Sequence, residues 1–162
     1  MTGVQTCALP ILVFDWCQPL LTEAQSKALT DKLVRGAAAL DKAQSIPQVR
    51  DRMLALIALV GHGPKNTEDQ IKQLVNGWWR KEVAPNLRDG TKEAPRQDSY
   101  AMFEMLHALR DATNVELRDD AAKYFKELPA YHILSYYPPV LDRKSTRLNS
   151  SHLRLSRMPS SA

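Results

Sequence analysis

Cysteine is almost missing from this chain: it occurs at Cys7 and Cys17 alone, and Cys7 belongs to a stretch set aside below. One remaining thiol excludes an internal disulfide and a cysteine-rich metal site. Beside Trp16, Cys17 reads as a small core residue. Metal-ligand patterns are missing too, since His62, His107 and His132 stand in no H-E-x-x-H or comparable spacing, so neither metal nor cofactor is expected. No uninterrupted apolar run is long enough to span a bilayer, which removes the membrane as a partner. Alternating apolar and polar residues, the mark of a half-buried strand, are not found. A repeat of fixed period is also lacking, which argues against a regular solenoid.

What the chain does have in excess is positive charge, with 22 Lys and Arg against 18 Asp and Glu, net +4 and a pI near 9.1. Much of the excess lies in the closing stretch "DRKSTRLNSSHLRLSRMPSSA", where five basic residues meet one acid. Taken alone, such a tail argues for a grip on nucleic-acid phosphates. Asp142 to His152, however, reads as a translation of a common short-read sequencing adapter. Leu153 to Leu155 fit a sample barcode, and Ser156 to Ala162 continue the adapter in frame. Thr2 to Ile11 read the same way. Residues 1–11 and 142–162 are therefore expected to be a non-biological head and a disordered, non-biological tail. Taking away their five basic residues and one acid leaves 17 of each sign over residues 12–141, an electrically balanced insert with no expected nucleic-acid partner.

Within the insert the periodicity is helical throughout. "FDWCQPLL" ends one helix near Pro19. "TEAQSKALTDKLVRGAAALDKA" opens the next with a T-x-x-Q capping box at Thr22 and Gln25 and a stripe of Ala28, Leu29, Leu33 and Leu40. Another helix starts at Pro47, buries Val49, Met53, Leu56, Ile57 and Val60, and stops at "GHGP", where Gly61 or Gly63 supplies a positive φ. Thr67 and Gln70 repeat the capping pattern ahead of Ile71, Leu74, Val75 and Trp78, with Pro85 setting the end. A polar loop leads to Asp98 or Ser99 as cap of "YAMFEMLHALRDAT", whose faces are marked by Phe103, Leu106 and Leu109 or Arg110, and Asn114 stops it. "DDAAKYFKEL" forms a last helix before Pro129, and Pro138 and Pro139 end any helix there. Five helices in antiparallel succession predict an all-α fold of stacked helical hairpins, compatible with a solenoid or a closed (α/α) toroid.

Few residues stand out chemically. His132 keeps company with Tyr131, Tyr136 and Tyr137 in "YHILSYY", a group that fits either a sugar-binding cleft or the packed end of a helical domain. Adjacent helical residues point about 100° apart, so only one of Trp78 and Trp79 is expected straight in the core, the other at its rim. Trp79, Tyr100 and Tyr131 are the candidates for stacking on a sugar. Glu93 stands in the loop "DGTKEAPRQDSY", where functional groups concentrate. His62, in its "GHG" turn, is expected exposed, and His107 packed or on the surface of its helix.

"LVFDWCQPLLTEAQSKAL" resembles the toroid segment of heparinase II/III-like and alginate-lyase-type polysaccharide lyases, which carry an A-x-x-Y-D-W-x-Y-x-x-L-T helix end. Phe14, Asp15 and Trp16 match, and Leu20, Leu21 and Thr22 follow in register. "SYAMFEMLHALRDATNVELRD" and "YFKELPAYHILSYYPPV" are similar to the same family's next helices and the approach to its active-site rim.

The resemblance implies part of an (α/α) toroid in a bacterial, periplasmic or secreted enzyme that cleaves an acidic, uronic-acid-containing polysaccharide by β-elimination without a cofactor. It further implies that the remaining toroid and a C-terminal β-sandwich complete the cleft, so that this piece alone is inactive. In such chemistry a donor neutralises the sugar carboxylate, and a Tyr or His takes the acidified C5 proton. Carried over by position, Tyr136 or Tyr137 takes the acid/base role, with His132 beside them. Glu93 falls where the family often has G-G-W-x-E-G-x-x-Y, although the Trp and the following Gly are absent here. The competing expectation is a non-catalytic helical domain that binds glycan or protein.

Overall fold

A computed structural model describes residues 8–89 and 96–136. Its helices follow from local signals in most places. α1 (Ala8–Cys17) begins with Ala and Leu, good helix formers, and holds Pro10 in its first turn, where no N–H is required. It runs through the boundary expected at Leu12 without a break, and Ile11 packs against the core. A 3-10 turn, Gln18–Leu20, carries Pro19 in its first positions. α2 (Glu23–Ala39) is opened by the capping box expected from sequence: the Gln25 N–H donates to Thr22 Oγ1, and the Thr22 N–H donates to the Gln25 side chain. α3 (Ile46–Leu59) again places a proline, Pro47, in the first turn.

α3 is the hub of the first unit, Met1–Phe125, and packs on α1, α2, α4 (Thr67–Gln73) and α6 (Arg96–Thr113). Val49, Met53, Ala55, Leu56 and Leu59 are all buried. Against them lie Phe14 of α1, Leu33 and Ala37 of α2, and Met102, Met105, Leu106 and Leu109 of α6. Of the stripe expected on α2, Leu33 is buried and Leu29 half-buried, whereas Ala28 faces solvent. Val60 is exposed rather than packed. Arg50 pairs with Asp51 at 2.7 Å and with Glu104 of α6, and Arg52, itself buried, pairs with the Asp41 carboxylate at 2.5 Å and donates to the Asp41 carbonyl at 2.9 Å.

Four boundaries depart from the sequence reading. Thr67 does not cap α4 (Thr67–Gln73); it is the first helical residue, and its hydroxyl donates to the Pro64 carbonyl at 2.6 Å. Pro85 does not stop the chain. α4 passes into a π-helical stretch, Leu74–Val83, which gives way without a break to α5 (Ala84–Arg88) with Pro85 in its first turn. Asp98 and Ser99 lie inside α6 (Arg96–Thr113) rather than ahead of it. Pro129 lies inside α7 (Ala122–Tyr136), so the Phe125 carbonyl receives no bond from an amide four residues on. Asn114 does end α6, at φ +57°, and its N–H donates to the Arg110 carbonyl at 2.7 Å. A 3-10 turn, Leu117–Ala121, leads into α7.

The π-helical stretch overturns the expected placement of the tryptophans. The Ala84 N–H reaches back five residues to the Trp79 carbonyl, a wider turn than in an α-helix. Successive side chains therefore diverge by less than they do on an α-helix, and both indoles enter the core, Trp78 at 8 % and Trp79 at 1 % exposure. Trp78 Nε1 donates to the Gln44 carbonyl at 3.1 Å, and Trp79 stacks on Phe125 with ring centres 6.4 Å apart.

The second unit, Lys126–Ala162, is described as far as Tyr136 and is helical over that span. All regular structure among the described residues is helical, and no helix there is long and apolar enough to cross a membrane.

Candidate functional site

The "GHG" turn after α3 is built so that neither glycine can be exchanged freely. Gly61 takes φ +80°, a conformation that side chains disfavour. At Gly63 a Cβ would lie 2.9 Å from Leu59 Cβ and 3.0 Å from the Leu59 carbonyl oxygen. The N–H groups of His62 and Gly63 both donate to that carbonyl, at 3.0 and 2.7 Å. His62 is exposed, yet its ring packs edge-on with buried Phe14, ring centres 5.7 Å apart, and the Gln18 side-chain nitrogen lies 2.9 Å from its Nε2 and 3.2 Å from its Nδ1.

Beside His62 opens a recess of about 530 Å³, lined by Gln18, Leu21, Glu23, Ser26, Lys27 and Thr30. Three separate segments make it: the 3-10 turn after α1, the first two turns of α2, and the GHG turn. It offers one cation, one carboxylate, two hydroxyls, an amide and an imidazole. A second, apolar groove of about 490 Å³ lies between the C-terminal ends of α3 and α6 and the α4–π wall. Its floor includes Ile57, Ile71, Val75 and Leu109, and at its rim Arg80 is held by Asp120 and Asn76, both at 3.1 Å. Among the described residues no aromatic ring lines this groove.

Of the candidate site residues singled out from sequence, Trp79, Tyr100 and Tyr131 have described side chains. Trp79 is in the core, so the expected rim position is corrected: both ring faces are covered, and the indole is a packing element. Tyr100 is 76 % exposed and Tyr131 49 %, each on the surface of its own unit. His132 and Tyr136 belong to α7, but their side chains lie outside the described residues, as do Glu93 and Tyr137 altogether. His107 is exposed and Cys17 is a free, half-buried thiol. Among the described residues no three His, Cys, Asp or Glu side chains converge as a metal site would require. Gln18 and Lys27 were not singled out from sequence. The signal that leads to their site was the pair of glycines flanking His62.

The strongest charge perturbations are structural. Arg118 holds the Glu116 carboxyl down to about 2, through its side-chain hydrogen bonds and its N–H at 3.1 Å, and is itself raised by Glu116. Burial opposes the charge on Arg50, but the Glu104 hydrogen bond and the Asp51 charge raise its pKa overall. Compared with protein-family models, with curated proteins and with solved structures, the chain has no match.

Proposed function

We propose that residues 12–141 form part of the (α/α) toroid of a periplasmic or secreted polysaccharide lyase that cleaves an acidic polysaccharide by β-elimination. The observation that carries this reading is the junction at residues 14–22. There the F-D-W and L-L-T residues of the resemblance sit at the end of α1 and at the N-cap of α2, with the capping box formed between Thr22 and Gln25. The all-helical build supports the same reading. In it α2 and α3 are one antiparallel hairpin of the toroid, Tyr136 or Tyr137 exchanges protons with the sugar, His132 and Glu93 lie near the cleft, and Tyr100 and Tyr131 offer exposed rings to the chain. Trp79 takes no part in binding. Missing toroid helices and a C-terminal β-sandwich supply the rest of the cleft.

The test is the genomic reading frame on either side of Leu12 and Leu141, followed by an assay of the encoded protein on alginate, hyaluronan and heparan sulfate. The expected result is a downstream β-rich domain and ultraviolet absorbance from an unsaturated uronate product. More helical hairpins without such a domain, and no unsaturated product, would remove the lyase.

A second reading, a non-catalytic helical binding domain, is favoured by one observation. Leu12, Trp16 and Leu20, four residues apart, are 43, 74 and 83 % exposed, and exposed tryptophan is a common anchor at protein contacts.

A further inference from the structure

We propose that the recess beside His62 is a subsite for one carboxylate-bearing sugar unit. Gln18 and Lys27 donate to the carboxylate, while Ser26, Thr30 and Glu23 meet the ring hydroxyls. The substrate class rests on the lyase reading; the placement rests on geometry of its own.

Glu23, Ser26, Lys27 and Thr30 follow the i, i+3, i+4, i+7 spacing of a single helix face, and all four line the recess. The same face of α2 runs on into Leu33 and Ala37, which enter the core, so the polar row is the N-terminal end of that stripe. His62 lies across from that row, its ring against Phe14 and beside the Gln18 side-chain amide. Contact with Phe14 and Gln18 limits the motion of the imidazole, which lowers the ordering cost of binding. The recess falls in the size range of small-ligand sites. Its mixture of donors and acceptors matches a hexuronate, which carries one anion and several hydroxyls, better than it matches an apolar ligand.

The experiment titrates the 162-residue chain with a hexuronate oligosaccharide, and in parallel with a neutral oligosaccharide of equal length, while the His62 imidazole signals are followed by NMR. The expected result is a saturable shift at His62 and affinity at least about tenfold weaker for the neutral chain, the loss that follows from one charge-assisted contact. Lys27→Met lowers hexuronate affinity by about tenfold, whereas Lys65→Met, an exposed lysine outside the recess, leaves it unchanged. Binding without a shift at His62, equal affinity for the neutral chain, or no binding at all overturns the subsite. Those outcomes leave the lyase reading to be decided by the reading frame and the product assay. If the recess binds hexuronate but the gene encodes no lyase, the subsite stands and the enzyme falls.

Discussion

Three glycines in the helical body make opposite predictions when changed to alanine, and their comparison tests the account of the GHG turn. At Gly61 the backbone stands at φ +80° with open space around the missing Cβ. Gly61→Ala therefore meets no atom and costs only the left-handed conformation, about 1–2 kcal/mol. Gly63 has no positive φ, but its Cβ would press on Leu59 Cβ and the Leu59 carbonyl at 2.9 and 3.0 Å. Neither atom is the far end of a flexible side chain, so the turn must move, at a cost of about 1–3 kcal/mol. Gly77, inside the π-helical stretch, has nothing within 4 Å of an added Cβ; Gly77→Ala should stabilise by about 0.5–1 kcal/mol, because the unfolded chain loses freedom. Urea unfolding followed by far-ultraviolet circular dichroism measures all three, with the shift read in the midpoint at unchanged slope. The reasoning is refuted if Gly61→Ala is as stable as the parent, if Gly63→Ala is neutral, or if Gly77→Ala is the most damaging of the three.

Thr22→Ala removes the capping box of α2 and should cost about 1 kcal/mol, seen as a lower urea midpoint. Trp78→Phe should be more destabilising than Trp79→Phe. The first change leaves the Gln44 carbonyl without its partner, while the second removes an indole N–H that is buried and unpaired among the described residues; equal losses in thermal unfolding would contradict this. Glu116 has a folded pKa of about 2 against an ordinary 4.5. Its contribution is therefore complete above pH 4.5 and lost as pH falls toward 2, and because the pair is partly solvated it amounts to no more than about 1 kcal/mol. Arg118→Ala should flatten the stability profile in that acid window, and an unchanged slope there would remove the pair from the account.

Much of the candidate site escaped a reading by sequence because its parts are contributed by distant segments. Gln18 and His62 are 44 positions apart, and nothing in either local pattern states that they meet. The same limit applies to the tryptophans. Their burial as a pair depends on a change of helical pitch after Gln73, which the α-helical period used to read the sequence cannot express. Prolines misled for a related reason. A proline forbids a bond to the residue four before it, but Pro85 stands at the start of a new helical segment and Pro129 is carried inside α7, so the rule located a local cost without locating an end.

By itself the sequence determined the features that act over a single turn: the all-helical class, the Thr22–Gln25 cap, a positive φ at one of the two GHG glycines and the stop at Asn114. These are decided by contacts within about four residues, where side-chain chemistry fixes the backbone directly. Tertiary structure alone decided that α3 is the hub, that Trp79 is covered, and that the 3-10 turn after α1, the start of α2 and the GHG turn line one polar recess. Such outcomes depend on which helix faces bury the most apolar surface together, a sum over segments far apart in the chain that no local pattern contains.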